Sequence, residues 1–130
     1  MSHWEELDIA AKLTEILSDV HYTAKPDHHF GRPFLTAYQL AIEFANRHPE
    51  DVVTIGQPIG GSEVGQRSSL AQYLAGQLSS AIRDGRADHI EGSFLANRHL
   101  ASVSFKHGDR TFDSSLTNTQ YDLSMFRLRE

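Results

Sequence analysis

A glycine-rich loop runs from Gly56 to Arg67, between a β-branched run, Val52-Val53-Thr54-Ile55, and a segment that opens at Ser68-Ser69 with helical apolar spacing. A strand, a flexible loop and a helix N-terminus can form an anion cradle, because free amides and the helix dipole converge there. Arg67, Ser68 and Ser69 are therefore candidate ligands for a phosphate or another anion. Gly60 and Gly65 have the separation of the glycines in a nucleotide-binding loop. Gln66, however, stands where the phosphate-binding lysine belongs, and Arg67 where a Ser or Thr would hold magnesium. Nucleotide hydrolysis lacks its machinery; a simpler phosphate- or anion-binding enzyme built on this loop is the expectation left open.

The other reactive side chains are numerous but scattered. His21, His28 and His29 crowd a stretch that also holds Pro26, Asp27, Gly31 and Pro33. Imidazoles beside a carboxylate suggest a metal, yet adjacent histidines on one loop do not easily reach one ion, and neither HExxH nor HxH spacing occurs. No metal ligand is assigned. Ser, His and acidic residues abound without a GxSxG elbow. Asp113-Ser114-Ser115, and Asp109 near His107, are the best local groupings, and turn chemistry explains them equally well. The carboxylate pairs Glu5-Glu6 and Glu50-Asp51 suit helix ends. No catalytic residue and no cofactor is assigned, and a non-enzymatic role is expected.

The elements that position these residues follow from apolar periodicity. Ser2 and Glu5 have capping-box spacing, and Leu7, Ile9, Leu13, Ile16, Leu17 and Val20 predict one helix over roughly Trp4–Val20. Thr36 and Gln39 form a second capping box, Leu35 and Leu40 can staple it, and Pro49 ends that helix. Phe30 and Phe34 are expected in the core beneath it. Val52–Ile55 reads as a short strand. Leu70, Leu74, Leu78 and Ile82 then recur every four residues, with a serine cap and Gly85 as a left-handed stop. One further helical turn is expected around Ser93–Asn97. Ala101–Lys106 and Thr111–Ser115 should pair as a hairpin across His107–Arg110. A last strand, around Ser124–Arg129, is expected to join that hairpin, with a bulge reconciling two out-of-phase alternations.

Composition sets the outer bounds. The 130 residues are long enough for a single domain, 1–130, with its own core. Without cysteine, disulfides and thiolate metal sites are excluded. The first residues lack the charged and apolar regions of a secretory signal, and no apolar run approaches membrane-spanning length. A cytoplasmic protein with no membrane partner is expected. The net charge of −5 is unevenly spread: residues 1–63 carry four Lys/Arg against ten Asp/Glu, residues 64–110 six against four. Whole-molecule attraction to nucleic acid is poor, so a nucleic-acid surface must draw on the central cations, Arg67, Arg83, Arg86, Arg98, Lys106 and Arg110.

The fold class expected is α+β, three main helices followed by a small antiparallel hairpin or sheet. This order of elements resembles winged-helix domains, in which a helical trio precedes a hairpin wing, although the Pro49–Arg67 connection is longer than a usual helix-turn-helix turn. The resemblance implies that the helix from Ser68 to Asp84 reads DNA with Gln72, Gln77 and Arg83, while Lys106, His107 and Arg110 at the hairpin tip touch phosphates. Arg86 belongs to the same nucleic-acid or anion-binding set. The function expected is a small regulatory or accessory binding module, docking on DNA or on a protein partner; a self-assembling subunit, such as a homodimer, is the other class. Carboxylate pairing of Arg67 and Arg83 would spare the fold but end the nucleic-acid expectation.

Overall fold

A computed structural model describes residues 2–21, 28–59, 69–115 and 122–129. The first helical stretch is two helices, α1 (His3–Glu6) and α2 (Ile9–Ser18), where one was expected. Asp8, at φ 51°, makes the break. Trp4 and Ile9 are five positions apart, which an unbroken helix would set about 140° round its axis. The left-handed residue between them lets both reach the core, where Trp4 is buried and Ile9 fully so.

The pair β1 (Leu35–Thr36) and α3 (Ala37–Arg47) starts on the expected capping box. The Gln39 amide donates to Thr36 Oγ1 at 3.2 Å, and the Thr36 amide donates to Gln39 Oε1 at 2.7 Å. The predicted strand at Val52–Ile55 is instead the end of a helix, α4 (Pro49–Ile55). β-Branched residues favour a strand only where another strand can pair with them. Here Pro49 presets the first turn, Glu50 and Asp51 suit its dipole, and Gly56 closes it at φ 78°. Asp51, buried, accepts from Lys12 Nζ at 2.5 Å and ties α4 to α2.

The next helix, α5 (Leu70–Arg83), follows the sequence closely. Leu70, Leu74 and Leu78 are fully buried and Ala71 and Ala81 nearly so. At its C-terminus the Arg86 amide donates to the Ala81 carbonyl (2.8 Å) and the Gly85 amide to Ile82 (3.2 Å), with Gly85 left-handed. These are the paired bonds of a Schellman stop.

The helical turn expected at Ser93–Asn97 is a strand, β2 (Ile90–Leu95). The hairpin forms as read, β3 (Ser102–His107) with β4 (Arg110–Ser115), turning at Gly108 and Asp109. The last strand, β5 (Leu123–Leu128), does not join it. It runs antiparallel between β1 and β2, giving the order β1-β5-β2, while the hairpin is a sheet of its own. The β2–β5 register is unbroken from Ile90↔Leu128 to Leu95↔Leu123, so no bulge is needed. The two alternations arise because β5 buries opposite faces. Phe126 enters the main core with the helices, and Leu123 enters a second cluster with Ile42 and Phe105.

That second cluster seats the hairpin on α3, with Tyr38 and Phe105 stacked at 5.0 Å between centroids. Phe30 departs from the sequence expectation: it is 74% exposed, on a turn rather than under α3. Phe34 is half-buried, with the Arg127 guanidinium 4.3 Å over its ring. No described helix is long and apolar enough to cross a membrane. The architecture is α+β, helices followed by small antiparallel sheets.

Candidate nucleic-acid interface

The burial of one face of α5 defines the other. Gln72, Gly76, Ser79 and Arg83 are all exposed, at positions separated by four, three and four residues, and so form one solvent-facing stripe. Gln77 lies beside it, half-buried. The helix is about 20 Å long at 1.5 Å per residue. Burial pushes the Tyr73 phenol up from its ordinary pKa, with a backbone hydrogen bond at Trp4 acting the other way.

At the N-terminal end the chemistry differs from a phosphate cradle. Ser69, buried, caps the helix by accepting from the Gln72 amide at 3.1 Å. The Leu70 amide donates to the Pro58 carbonyl at 2.6 Å, the Ala71 amide to Ile59 at 3.0 Å and the Tyr73 amide to Ser69 at 3.0 Å. Of the amides that would greet an anion, those of Leu70, Ala71 and Gln72 thus each have an acceptor within the chain, and the Tyr73 amide makes the first intrahelical bond. Arg67 and Ser68 lie outside the described residues, as do Gly60 to Gln66.

The C-terminal end gathers charge. Arg83 Nε lies 3.4 Å from Asp84 Oδ1, and Arg86 Nη2 lies 3.1 Å from Asp84 Oδ2. The carboxylate pairing that counts against DNA is thus present at Arg83, at a side chain that stays 76% exposed, while Arg67 lies outside the described residues. All three residues are exposed. Hydrogen bonds from Arg86 first, and then from Arg83, hold the Asp84 carboxyl below the usual carboxylate range. Asp84 was not among the sequence candidates. Its signal was the spacing itself, an acid between arginines one position before it and two after it.

Lys106 and Arg110 are exposed near the hairpin tip. His107 Nε2 lies 2.7 Å from Asn46 Oδ1, so the imidazole donates and the tip is held beside the end of α3. Further back, Ser104 Oγ donates to Asp113 Oδ1 at 2.5 Å, an exposed bond across the hairpin. Asp113 therefore has a structural partner on the neighbouring strand.

The remaining described cations are mostly committed to the scaffold. Lys12 binds Asp51, Arg32 donates to the carbonyls of Ser18 and Val20, and Arg47 pairs with Asp19 at 2.8 Å. Arg127 pairs with Glu91 and donates to the carbonyls of Phe30 and Arg32, and Arg129 donates to the Asp88 carbonyl. Arg83, Arg86, Arg98, Lys106 and Arg110 of the central segment are exposed, as are Arg47 and Arg129, and Arg83 and Arg86 share the Asp84 carboxylate.

In the histidine stretch, the Phe30 amide donates to His28 Nδ1 at 3.1 Å, and the His28 and His29 rings stack at 4.2 Å. That Nδ1 lone pair is occupied by the backbone. Among the described residues no group of three or more His, Cys, Asp or Glu could hold a metal ion. Comparison with family models, curated proteins and solved structures finds no match for the chain.

Proposed function

We propose that this protein is a small winged-helix-like module that binds duplex DNA, with α5 as the reading helix and the β3–β4 hairpin as its wing. The observation that carries the proposal is the solvent-facing stripe of α5. Gln72, Gly76, Ser79 and Arg83 lie outward along a helix whose leucines are fully buried, so its polar face is fixed in direction. A major groove accepts one α-helix, and Gln and Arg are side chains able to read base edges there. The order of elements supports the same role. Helices α2, α3 and α5 share a core, and the chain between β2 and β5 leaves the sheet as a hairpin.

Charge tempers the expectation of affinity. With a net charge of −5, little non-specific attraction comes from the molecule as a whole, and binding depends on the few central cations. Wild-type protein is expected to bind duplex DNA at low salt and to release it as salt rises. Arg67→Ala combined with Arg83→Ala should weaken binding and lower the salt slope by about one for each of the two arginines that neutralises a phosphate. Absence of a mobility shift on any duplex at low salt would contradict the proposal.

A protein-binding or self-assembling subunit is the second class, favoured by a different observation. Among the described residues β2 pairs with β5 on one side only, and Phe94 is 66% exposed near its end. An open strand edge beside an apolar side chain is a natural place for another chain to add. Light scattering discriminates: a concentration-dependent dimer abolished by Phe94→Asp supports this class, and a monomer at all concentrations counts against self-assembly. A phosphate-binding enzyme receives no comparable support, since the Leu70, Ala71 and Gln72 amides have acceptors within the chain.

A further inference from the structure

The carboxylate between Arg83 and Arg86 stands where folding gives it little reason to be. Asp84 is the C-cap of α5, at the end of the helix where the dipole favours cations and disfavours acids. Its side chain is exposed and bonds Arg83 and Arg86. The α5 stop is made by backbone groups of Ala81, Ile82, Gly85 and Arg86, and does not use the Asp84 carboxylate. Two guanidinium groups, each with planar donors suited to an oxyanion, thus converge on one exposed carboxylate.

We propose that Asp84 is a built-in competitor for phosphate. Its carboxylate occupies the Arg83–Arg86 fork, and a DNA phosphodiester must displace it to bind there. The inference rests on the DNA-binding role proposed above and assigns a phosphate contact within it. Asp84 lowers the fork's affinity for any phosphate, so that stable binding requires additional contacts from the polar stripe of α5. The depressed pKa is consistent, since the two arginines favour the charged carboxylate. Specificity is a difference of affinities, and an intramolecular anion that suppresses non-specific contacts enlarges that difference.

The test is fluorescence anisotropy with random-sequence duplex DNA, over about 50 to 200 mM salt, a range in which phosphate contacts alter affinity strongly. Asp84→Asn is expected to tighten binding by about fourfold at the low end, from a unit charge removed at about 5 Å in water. It should also steepen the salt dependence. Asp88→Asn changes net charge equally at a carboxylate that bonds neither arginine, and should give a smaller gain. Arg83→Ala with Arg86→Ala should abolish the gain from Asp84→Asn. Circular dichroism should show α5 intact in every variant. Wild-type binding that Asp84→Asn leaves unchanged or weaker overturns this inference alone. Equal gains from Asp84→Asn and Asp88→Asn overturn it as well, reducing it to net charge. No binding by wild type or Asp84→Asn at low salt overturns the DNA-binding role, and this inference with it.

Discussion

At the residue scale, Arg127 organises more of the molecule than any catalytic-looking side chain. Its Nη1 donates to the carbonyls of Phe30 at 2.8 Å and Arg32 at 2.9 Å, its Nε pairs with Glu91, and its plane covers Phe34. A guanidinium can make these contacts together because its donors are fixed in a fork, whereas an ammonium cannot. Arg127→Ala should cost about 2–4 kcal/mol in denaturant unfolding, and Arg127→Lys should recover less than half of that. The turn it anchors depends on Gly31, at φ 89°, where an added Cβ would lie 2.8 Å from Arg127 Nη1. Gly31→Ala should therefore destabilise by about 1–2 kcal/mol. Gly76, with open space around it in the middle of α5, makes the opposite case, and Gly76→Ala should stabilise by about 0.5–1 kcal/mol. Melts of the two variants, shifted in opposite directions, check both. The capping residues Ser69, Thr36 and Gln39 were legible in the sequence because their bonds close within three positions. Arg127 was not, since its partners lie between 36 and 97 positions away.

At the scale of elements, what was legible depended on whether an element's own residues determined it. α5 carries its cap, its leucine stripe and its glycine stop, and the structure agrees at each. The β3–β4 hairpin carries its alternation and its turn, and it too forms where expected. Val52–Ile55 and Ser93–Asn97 were misassigned because neighbours decide them. The first has no strand to pair with among the described residues, and the residues of the second up to Leu95 pair with β5. β5 itself was found, but its partners were not, since pairing across a chain this long is set by tertiary packing. The hairpin is the most exposed to test, because two strands alone are marginal in water. Its anchorage is Phe105, buried against Tyr38 and Ile42. Phe105→Ala should destabilise by about 3 kcal/mol, the lower range for a buried phenylalanine. It should also speed amide exchange in Ser102–Ser115 selectively, leaving Leu70–Arg83 protected. Equal acceleration in both segments would mean that the hairpin and α5 unfold as one unit.

At the scale of the whole molecule, the acidic half of the sequence turns out to supply much of the internal wiring. Asp19 and Asp51 of that half bind Arg47 and Lys12, tying α2 to α3 and α4. The central segment contributes the exposed cations Arg83, Arg86, Arg98, Lys106 and Arg110, two of them paired with Asp84. What was legible of the candidate site was placement: Gln72 and Arg83 on the exposed face of α5, Ser69 as its cap and Arg86 just past its end. The coupling through Asp84 was not, because a charge run shows no geometry. The occupied amides of Leu70 and Ala71 were equally invisible, since their acceptors, Pro58 and Ile59, lie twelve positions earlier. The central claim is that the polar face of α5, with the hairpin tip, is the surface that meets DNA. Its most direct test is a two-dimensional amide NMR titration of the intact protein with duplex DNA at low salt. Shifts are expected to concentrate at Gln72, Gly76, Ser79 and Arg83 to Arg86, with a second group at Lys106 to Arg110. Shifts confined to the β2 edge, or no shifts at saturating DNA, would contradict it.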